Sequence, residues 1–428
     1  MKNRDLNLSS GIGLLTAVLI AIGAKARSAE TPALKNVYQN HFYVGAAINR
    51  AMAVGTTVRA EYLRRTPEQA DKDIALIKYQ FNQISPENDL KWALIHPRES
   101  TDGYNFEPAD AFVNFGVSNQ MYIVGHTLVW HGQTPNWVFQ GTNVPPAMTN
   151  TPSPEVAATT NTAGTNAAGS GGFGRGFGRG GFSGPRASRE ELLQRMRDHI
   201  HMVVGRYKGK IKAWDVVNEA VADGGTNILR NSLWLQIIGP DFIAKAFEYA
   251  HEADPDALLR YNDYSLENPA KRHKLIALIK SLQEQHVPVM AIGSQTHVSV
   301  SSPSFEAEDE ALTELESLGL PIHITELDVN SAQGGQRNTG ADVANNSATT
   351  QGGLVDDANR RLADAYAGLF RAFVKHDKSV KVVTFWGVND AVSWRAQGRP
   401  LLFDGNDQPK PAFDAVIRAA TGAQPSSP

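Results

Sequence analysis

Two short stretches carry most of the chemistry in this sequence. Trp214-Asp215-Val216-Val217-Asn218-Glu219 and Ile324-Thr325-Glu326-Leu327-Asp328 are each a β-type apolar run that ends on carboxylates. Glu219 follows an Asn, and Glu326 is followed two residues on by Asp328. A lone glutamate at a strand end is ordinarily a surface or capping residue. Two of them on one face form a proton donor and a nucleophile, the pair that cleaves a glycosidic bond.

Such a pair needs a frame that holds strand ends together. From about residue 35, short β-rich runs alternate with helical patterns, which predicts βα units around a parallel sheet. The strand candidates are 43–47, 83–87, 121–126, 211–219, 258–262, 291–297, 322–327 and 380–386. Eight is the number that closes a (β/α)8 TIM barrel, an α/β fold whose active site lies at the carboxyl ends of the strands. Helices are expected over 67–78, from the capping box Ser188-Arg189-Glu190-Glu191 to Arg206, and over 241–253, 268–285 and 356–376. An open doubly wound sheet is the alternative fold. It calls for a Gly-rich phosphate turn after the first strand, and Gly45-Ala46-Ala47-Ile48 does not provide one.

The strand ends hold a dense polar inventory. The second gives Glu87, Asn88 and Lys91. The third gives His126, then Trp130, His131 and Gln133. The fifth leads to Asn262-Asp263-Tyr264, the sixth to Gln295-Thr296-His297, and the eighth to Trp386 with Trp394 beyond it. Taken singly, each histidine is a packed or hydrogen-bonded residue and each Trp is core, as Trp92, Trp214 and Trp234 are expected to be. His126 and His297 with scattered carboxylates show no compact metal-ligand spacing. Their coincidence on one face describes a long cleft for a ligand with many hydroxyls and flat apolar faces.

Composition narrows the class. In 428 residues, hydrophobic types make up 42% and charged types 20%, the balance of a globular protein. A formal net charge of −3 argues against nucleic acid or an anionic membrane as the main partner. Residues 1–26 read as a signal peptide, with the boundary between 26 and 29. Lys2 and Arg4 precede the apolar run 12–22, and Ala24-Lys25-Ala26 offers small residues for cleavage. The run is short for a membrane span, so no stable membrane insertion is expected after cleavage; an uncleaved anchor is the alternative. The chain has no cysteine, which excludes disulfides and Cys-ligated metals. Residues 141–187 and 331–353 are polar and Gly-rich and read as flexible insertions after strands three and seven, and 421–428 as a disordered tail. The Gly/Phe/Arg run 172–182 has the composition of nucleic-acid-binding segments. With only Arg175, Arg179 and Arg186 against Glu155 in residues 141–187, a plain loop is the simpler reading.

With the insertions set aside, residues 35–420 resemble family 10 glycoside hydrolases, whose typical members are endo-β-1,4-xylanases. Four motifs carry the resemblance: Ser85-Pro86-Glu87-Asn88-Asp89-Leu90-Lys91-Trp92, Gly125-His126-Thr127-Leu128-Val129-Trp130-His131, the stretch ending in Asn218-Glu219, and the stretch holding Glu326 and Asp328. Tyr261-Asn262-Asp263-Tyr264 and Trp386-Gly387-Val388 extend it. The resemblance implies a retaining hydrolase acting on xylan or xylo-oligosaccharides, with Glu219 as acid/base and Glu326 as nucleophile. It places Asn218 at the sugar 2-hydroxyl and His297 beside the nucleophile, with Asp328 supporting that histidine. Glu87, Asn88, Lys91, His126, Trp130, Gln133 and Gln295 would hold substrate, and Tyr264, Trp386 and Trp394 would pack against sugar rings. That reaction needs no cofactor and no metal; the charge balance predicts no nucleic-acid partner, the leader predicts secretion, and a monomer is the default. Another β-1,4-glycanase and a non-catalytic carbohydrate-binding barrel are the rival readings; the second would be expected to lack one of the two glutamates.

Overall fold

The computed structural model describes residues 31–48, 65–141, 185–332 and 354–421. Its strands are β1 (Tyr43–Ile48), β2 (Gln83–Pro86), β3 (Tyr122–Trp130), β4 (Ala213–Asn218), β5 (Leu258–Asp263), β6 (Ala291–Ser294), β7 (His297–Ser299), β8 (Ile322–Asn330) and β9 (Val380–Phe385). Every pairing between them is parallel. The order β6-β5-β4-β3-β2-β1-β9-β8 closes on itself through the pairing of β6 with β8. The result is an eight-stranded (β/α)8 barrel. β7 is a three-residue strand lying only on the end of β8, so the expected sixth strand is broken at Gln295-Thr296, where Thr296 takes φ +55°.

Helices wrap this barrel: α1 (Leu34–Val37), α2 (Pro67–Gln80), α3 (Trp92–Ile95), α4 (Glu107–Ser118), α5 (Arg189–Arg206), α6 (Leu233–Ile237), α7 (Phe242–Ala253), α8 (Pro269–Glu284), α9 (Phe305–Glu316), α10 (Leu354–Lys375) and α11 (Pro411–Ala420). Their starts are encoded locally. Ser188 forms the expected capping box with Glu191, its hydroxyl accepting the Glu191 N–H at 3.1 Å while the Glu191 carboxylate accepts the Ser188 N–H at 2.7 Å. Thr66 and Gln69 do the same ahead of Pro67, and Asn268 caps α8 ahead of Pro269. Trp92, Trp214 and Trp234 are buried as core. Trp214 fills its place because its register partner across the sheet is Gly125, where a Cβ would lie 2.2 Å from the indole. No helix among the described residues is long and apolar enough to cross a membrane.

Several boundaries differ from the sequence reading, the most consequential at the carboxyl ends where the chemistry lies. β3 runs on past His126 to Trp130 through a register shift, and β8 runs past Leu327 to Asn330. β4 stops at Asn218, and Glu219 sits one residue beyond it at φ +57°. Gly141 and Pro185–Ala187 belong to the ordered fold: Gln140 pairs antiparallel with Arg186, and Ala187 is buried. The flanks of 142–184 are thereby joined, with the Gly141 N–H donating to Pro185 O and the Ala187 N–H to Phe139 O, each at 2.9 Å. The expected signal peptide, the tail beyond Thr421 and the bulk of both expected insertions lie outside the described residues.

Candidate active site

Glu219 and Glu326 meet at the carboxyl end of the barrel, and each is nearly enclosed, at 3% and 5% exposure. Glu219 is held by neutral donors. The Trp130 indole N–H donates to its Oε2 at 2.8 Å and the Gln295 amide donates to its Oε1 at 2.9 Å. The β3 extension makes the first bond possible, because Trp130 is then the lateral register partner of Asn218. Burial pushes the Glu219 carboxyl above the ordinary glutamate range. Its two hydrogen bonds oppose that shift, while the negative charge of Glu326 adds to it.

Glu326 has charged company. His297 contacts its Oε2 through Nε2 at 3.1 Å and reaches Asp328 Oδ2 through Nδ1 at 3.0 Å. Burial would lower the His297 pKa, but the two carboxylates outweigh it and raise it to about 9. At neutral pH His297 is therefore an imidazolium donating from both nitrogens. Burial also acts to raise Glu326, yet the His297 hydrogen bond and the attraction of His126 and His297 bring it below its usual range. Asp328 is kept ionised in the same way, with Arg395 Nη1 at 2.9 Å and the Trp394 indole N–H at 2.7 Å.

Amides join the two halves. Asn262 Nδ2 donates to Asn218 Oδ1 and to Glu326 Oε1, each at 2.9 Å, and its own Oδ1 accepts from the Thr325 hydroxyl at 2.7 Å. Gln295 Nε2 also reaches Asn218 Oδ1 at 3.2 Å. Gly293 leaves room for Asn262, since a Cβ there would lie 2.3 Å from its Oδ1. Below this layer a charged group fills the barrel interior. Arg260 clasps Asp215 through Nε at 2.6 Å and Nη2 at 2.9 Å, and His126 Nδ1 meets Asp215 at 3.0 Å. These three residues are neighbours in register on β3, β4 and β5 and so face the same side of the sheet. Burial disfavours charge on Asp215, but Arg260 and His126 prevail and lower its pKa to about 2. His126 Nδ1 also stands 4.0 Å from Glu326 Oε1.

The remaining expected residues divide. Lys91 is buried, lies over the Trp130 ring at 5.1 Å and donates to Asn88 Oδ1 at 3.1 Å. Burial lowers its pKa, opposed by Glu326, Glu87 and Glu219, so those carboxylates share one electrostatic neighbourhood with it. Glu87 and Asn88 are half-buried just past β2, and Trp394 is half-buried while Trp386 is buried edge-on to His126. Gln133 is half-buried in a turn at φ +44°, its carbonyl accepting the Ala93 N–H. Tyr264, expected to pack against a sugar ring, is 3% exposed. Its hydroxyl accepts from Arg230 and donates to Asp223, each at 2.6 Å, and the Lys271 ammonium covers its ring at 3.2 Å. The sequence reading gave Asn262 a place at a strand end but no role, and missed Arg230, Arg395 and the Asp215–Arg260 pair as parts of the site. The role of Asn262 lies in its bonds to Asn218 and Glu326, which only strand packing creates. Arg230 and Arg395 lie in loops with no periodic signal.

A carboxyl with a raised pKa and a carboxylate with a lowered one, close together and shielded from water, can divide proton donation and nucleophilic attack between them. The profile of glycosyl hydrolase family 10 matches residues 33–157 and 181–419, and its break at 158–180 falls inside the Gly-rich stretch. A β-1,4-xylanase of Dictyoglomus thermophilum is 34% identical over 412 residues, covering 95% of this chain and 96% of the relative. An endo-1,4-β-xylanase of Geobacillus stearothermophilus is 35% identical over 396 residues, covering 90% and 98%. Among solved structures, xylanase XynB of Paenibacillus barcinonensis, complexed with a conduramine derivative, superposes with TM-score 0.70 at 34% identity over 91% of this chain and 99% of its own. TsXylA of Thermoanaerobacterium saccharolyticum, described as an intracellular xylanase, gives TM-score 0.69 at 34% identity over the same shares. Closed barrel, paired glutamates and family profile agree along most of the chain, and this protein belongs to glycosyl hydrolase family 10.

Proposed function

We propose that this protein is a retaining endo-β-1,4-xylanase, with Glu326 as nucleophile and Glu219 as acid/base. The observation that carries this reading is the opposite shift of two equally buried glutamates, Glu219 upward and Glu326 downward. Glu326 attacks the anomeric carbon while Glu219 passes its proton to the leaving glycosidic oxygen. A glycosyl ester forms on Glu326, and its negative charge disappears. Glu219, freed from that repulsion, becomes more acidic, takes a proton from the incoming water and lets the water displace Glu326. Retention requires the two carboxyls about 5–5.5 Å apart. Asn218 is assigned to the sugar 2-hydroxyl, a contact that strengthens as the oxocarbenium-like state develops. Its Oδ1 is already fixed by Asn262 and Gln295, which orients the rest of the amide.

Xylan is preferred as substrate because relatives described as xylanases match along nine-tenths of this chain. Product analysis on xylan and on carboxymethyl cellulose tests it. Mixed short xylo-oligosaccharides whose new reducing ends are first seen by NMR as the β-anomer are the expected result. Release from carboxymethyl cellulose alone would move the substrate to glucan, and a first-formed α-anomer would replace the nucleophile with a base. We also infer from residues 1–26 that the protein is exported and cleaved near residue 26, and that it works as a monomer; N-terminal sequencing of secreted protein and light scattering check these.

A further inference from the structure

Glu219 must hold its carboxyl at the leaving oxygen from an unfavourable backbone. At φ +57° it occupies the left-handed region that side-chain-bearing residues avoid, so the surroundings must impose this conformation. The peptides around it are pinned in turn. The Glu219 N–H donates to Asn262 O at 2.9 Å. The Ala220 and Val221 N–H groups both donate to the Tyr261 hydroxyl, at 2.9 and 3.0 Å. The Glu219 carbonyl is held by a side chain: Arg230 Nε donates to it at 2.9 Å. Arg230 reaches back from the hairpin in which Val221 pairs with Leu229, and its own N–H donates to Ala220 O at 2.7 Å. The far edge of the guanidinium donates to Asp223 Oδ2 at 2.9 Å and to the Tyr264 hydroxyl at 2.6 Å. Lys271 anchors that edge by bridging Asp223 at 2.9 Å and buried Asp263 at 2.8 Å.

Resting on the acid/base assignment of Glu219, we propose that Arg230 is a positioning residue that aims the Glu219 carboxyl at the leaving-group oxygen by fixing its main-chain carbonyl. The Asp223–Tyr264–Lys271 cluster holds the planar guanidinium in register, which a flexible ammonium does not reproduce. Loss of Arg230 should therefore impair proton delivery and leave nucleophilic attack intact.

The test compares kcat/KM on phenyl β-xylobioside, whose leaving group needs a proton, with that on 2,4-dinitrophenyl β-xylobioside, whose leaving group does not. Wild type, Arg230→Met, Arg230→Lys and Glu219→Ala are measured side by side. Arg230→Met is expected to lose about 10²-fold on the phenyl substrate, the scale of an ångström of misplacement, and no more than about threefold on the dinitrophenyl one. Arg230→Lys should fall between wild type and Arg230→Met. Removing the guanidinium charge should also move the alkaline limb of the phenyl profile to higher pH. Equal losses on both substrates, with Glu219→Ala still selective, overturn the role of Arg230 alone. A Glu219→Ala loss that is itself equal on both removes the acid assignment and this inference together. If Arg230→Met does not fold, the selectivity of Arg230→Lys decides in the same way.

Discussion

The two halves of the site hold the same residue type at nearly the same burial and treat it in opposite ways. On the β3–β4 side, Glu219 meets an indole and an amide, both neutral donors. On the β7–β8 side, Glu326 meets an imidazolium that is backed by Asp328, which is backed in turn by Arg395. Neutral donors soften the cost of burying a charge without cancelling it, so the Glu219 pKa is raised. A cation in contact cancels it, so the proton leaves Glu326. The division of labour between the two glutamates thus comes from the charge of their partners and not from depth. The kcat/KM profile should accordingly fall on the acid side as Glu326 gains a proton, below the ordinary glutamate range. On the alkaline side it should fall as Glu219 loses its proton, above that range.

The comparison breaks most severely at the nucleophile. Glu326→Ala should lower turnover by at least about 10⁴-fold on every substrate, because no covalent step remains. Calorimetry should still detect xylo-oligosaccharide binding; substantial residual hydrolysis would give the nucleophile to another residue. Glu219→Ala should cost about 10²–10⁴-fold on xylan. Exogenous azide should then trap the glycosyl-enzyme formed from an activated substrate as a β-xylosyl azide. An azide product of inverted configuration would remove Glu219 from the acid/base role.

His297→Asn sharpens the contrast by making the Glu326 side resemble the Glu219 side. Without the imidazolium the Glu326 pKa should rise, moving the acid limb of kcat/KM to higher pH with a loss of about 10–10²-fold at neutrality. An unmoved acid limb would show that the cation is not what ionises Glu326. The same residue makes a stability prediction. The His297 pKa is raised from 6.5 to about 9, so its contribution is complete below 6.5 and is lost as pH rises through about 9. The Tm gap between wild type and His297→Asn should narrow across that interval. Trp130→Phe is the mildest change. It deletes one donor to the ionised form of Glu219, a loss of about 1.5–3 kcal/mol for that charged form. The alkaline limb should shift upward while activity at lower pH falls only severalfold; a downward shift would mean that the indole serves the protonated acid instead.

What could be read from the chain before its structure follows the same divide. Val216-Val217-Asn218-Glu219 announces a strand end and Ile324-Thr325-Glu326 a strand, though not where it stops, through β propensity and a carboxylate, and Ser188 with Glu191 announces a helix start within four residues. The surroundings of Tyr264 were not legible, because an aromatic at a strand end looks the same locally whether or not a lysine such as Lys271 lies over its ring.

The sequence by itself determined the eight-strand alternation, the family motifs and the identity of the two glutamates, because period, propensity and spacing act over a few residues. Only the tertiary structure decided which glutamate has its pKa raised and which has it lowered. That outcome depends on Trp130 coming into register with Asn218, 88 positions along, and on His297 lying between Glu326 and Asp328. It also exposed the left-handed backbone of Glu219 and the reach of Arg230 to its carbonyl. Electrostatic partnership is a matter of ångströms across strands, and strand register and loop closure set those distances where local pattern carries no record of them.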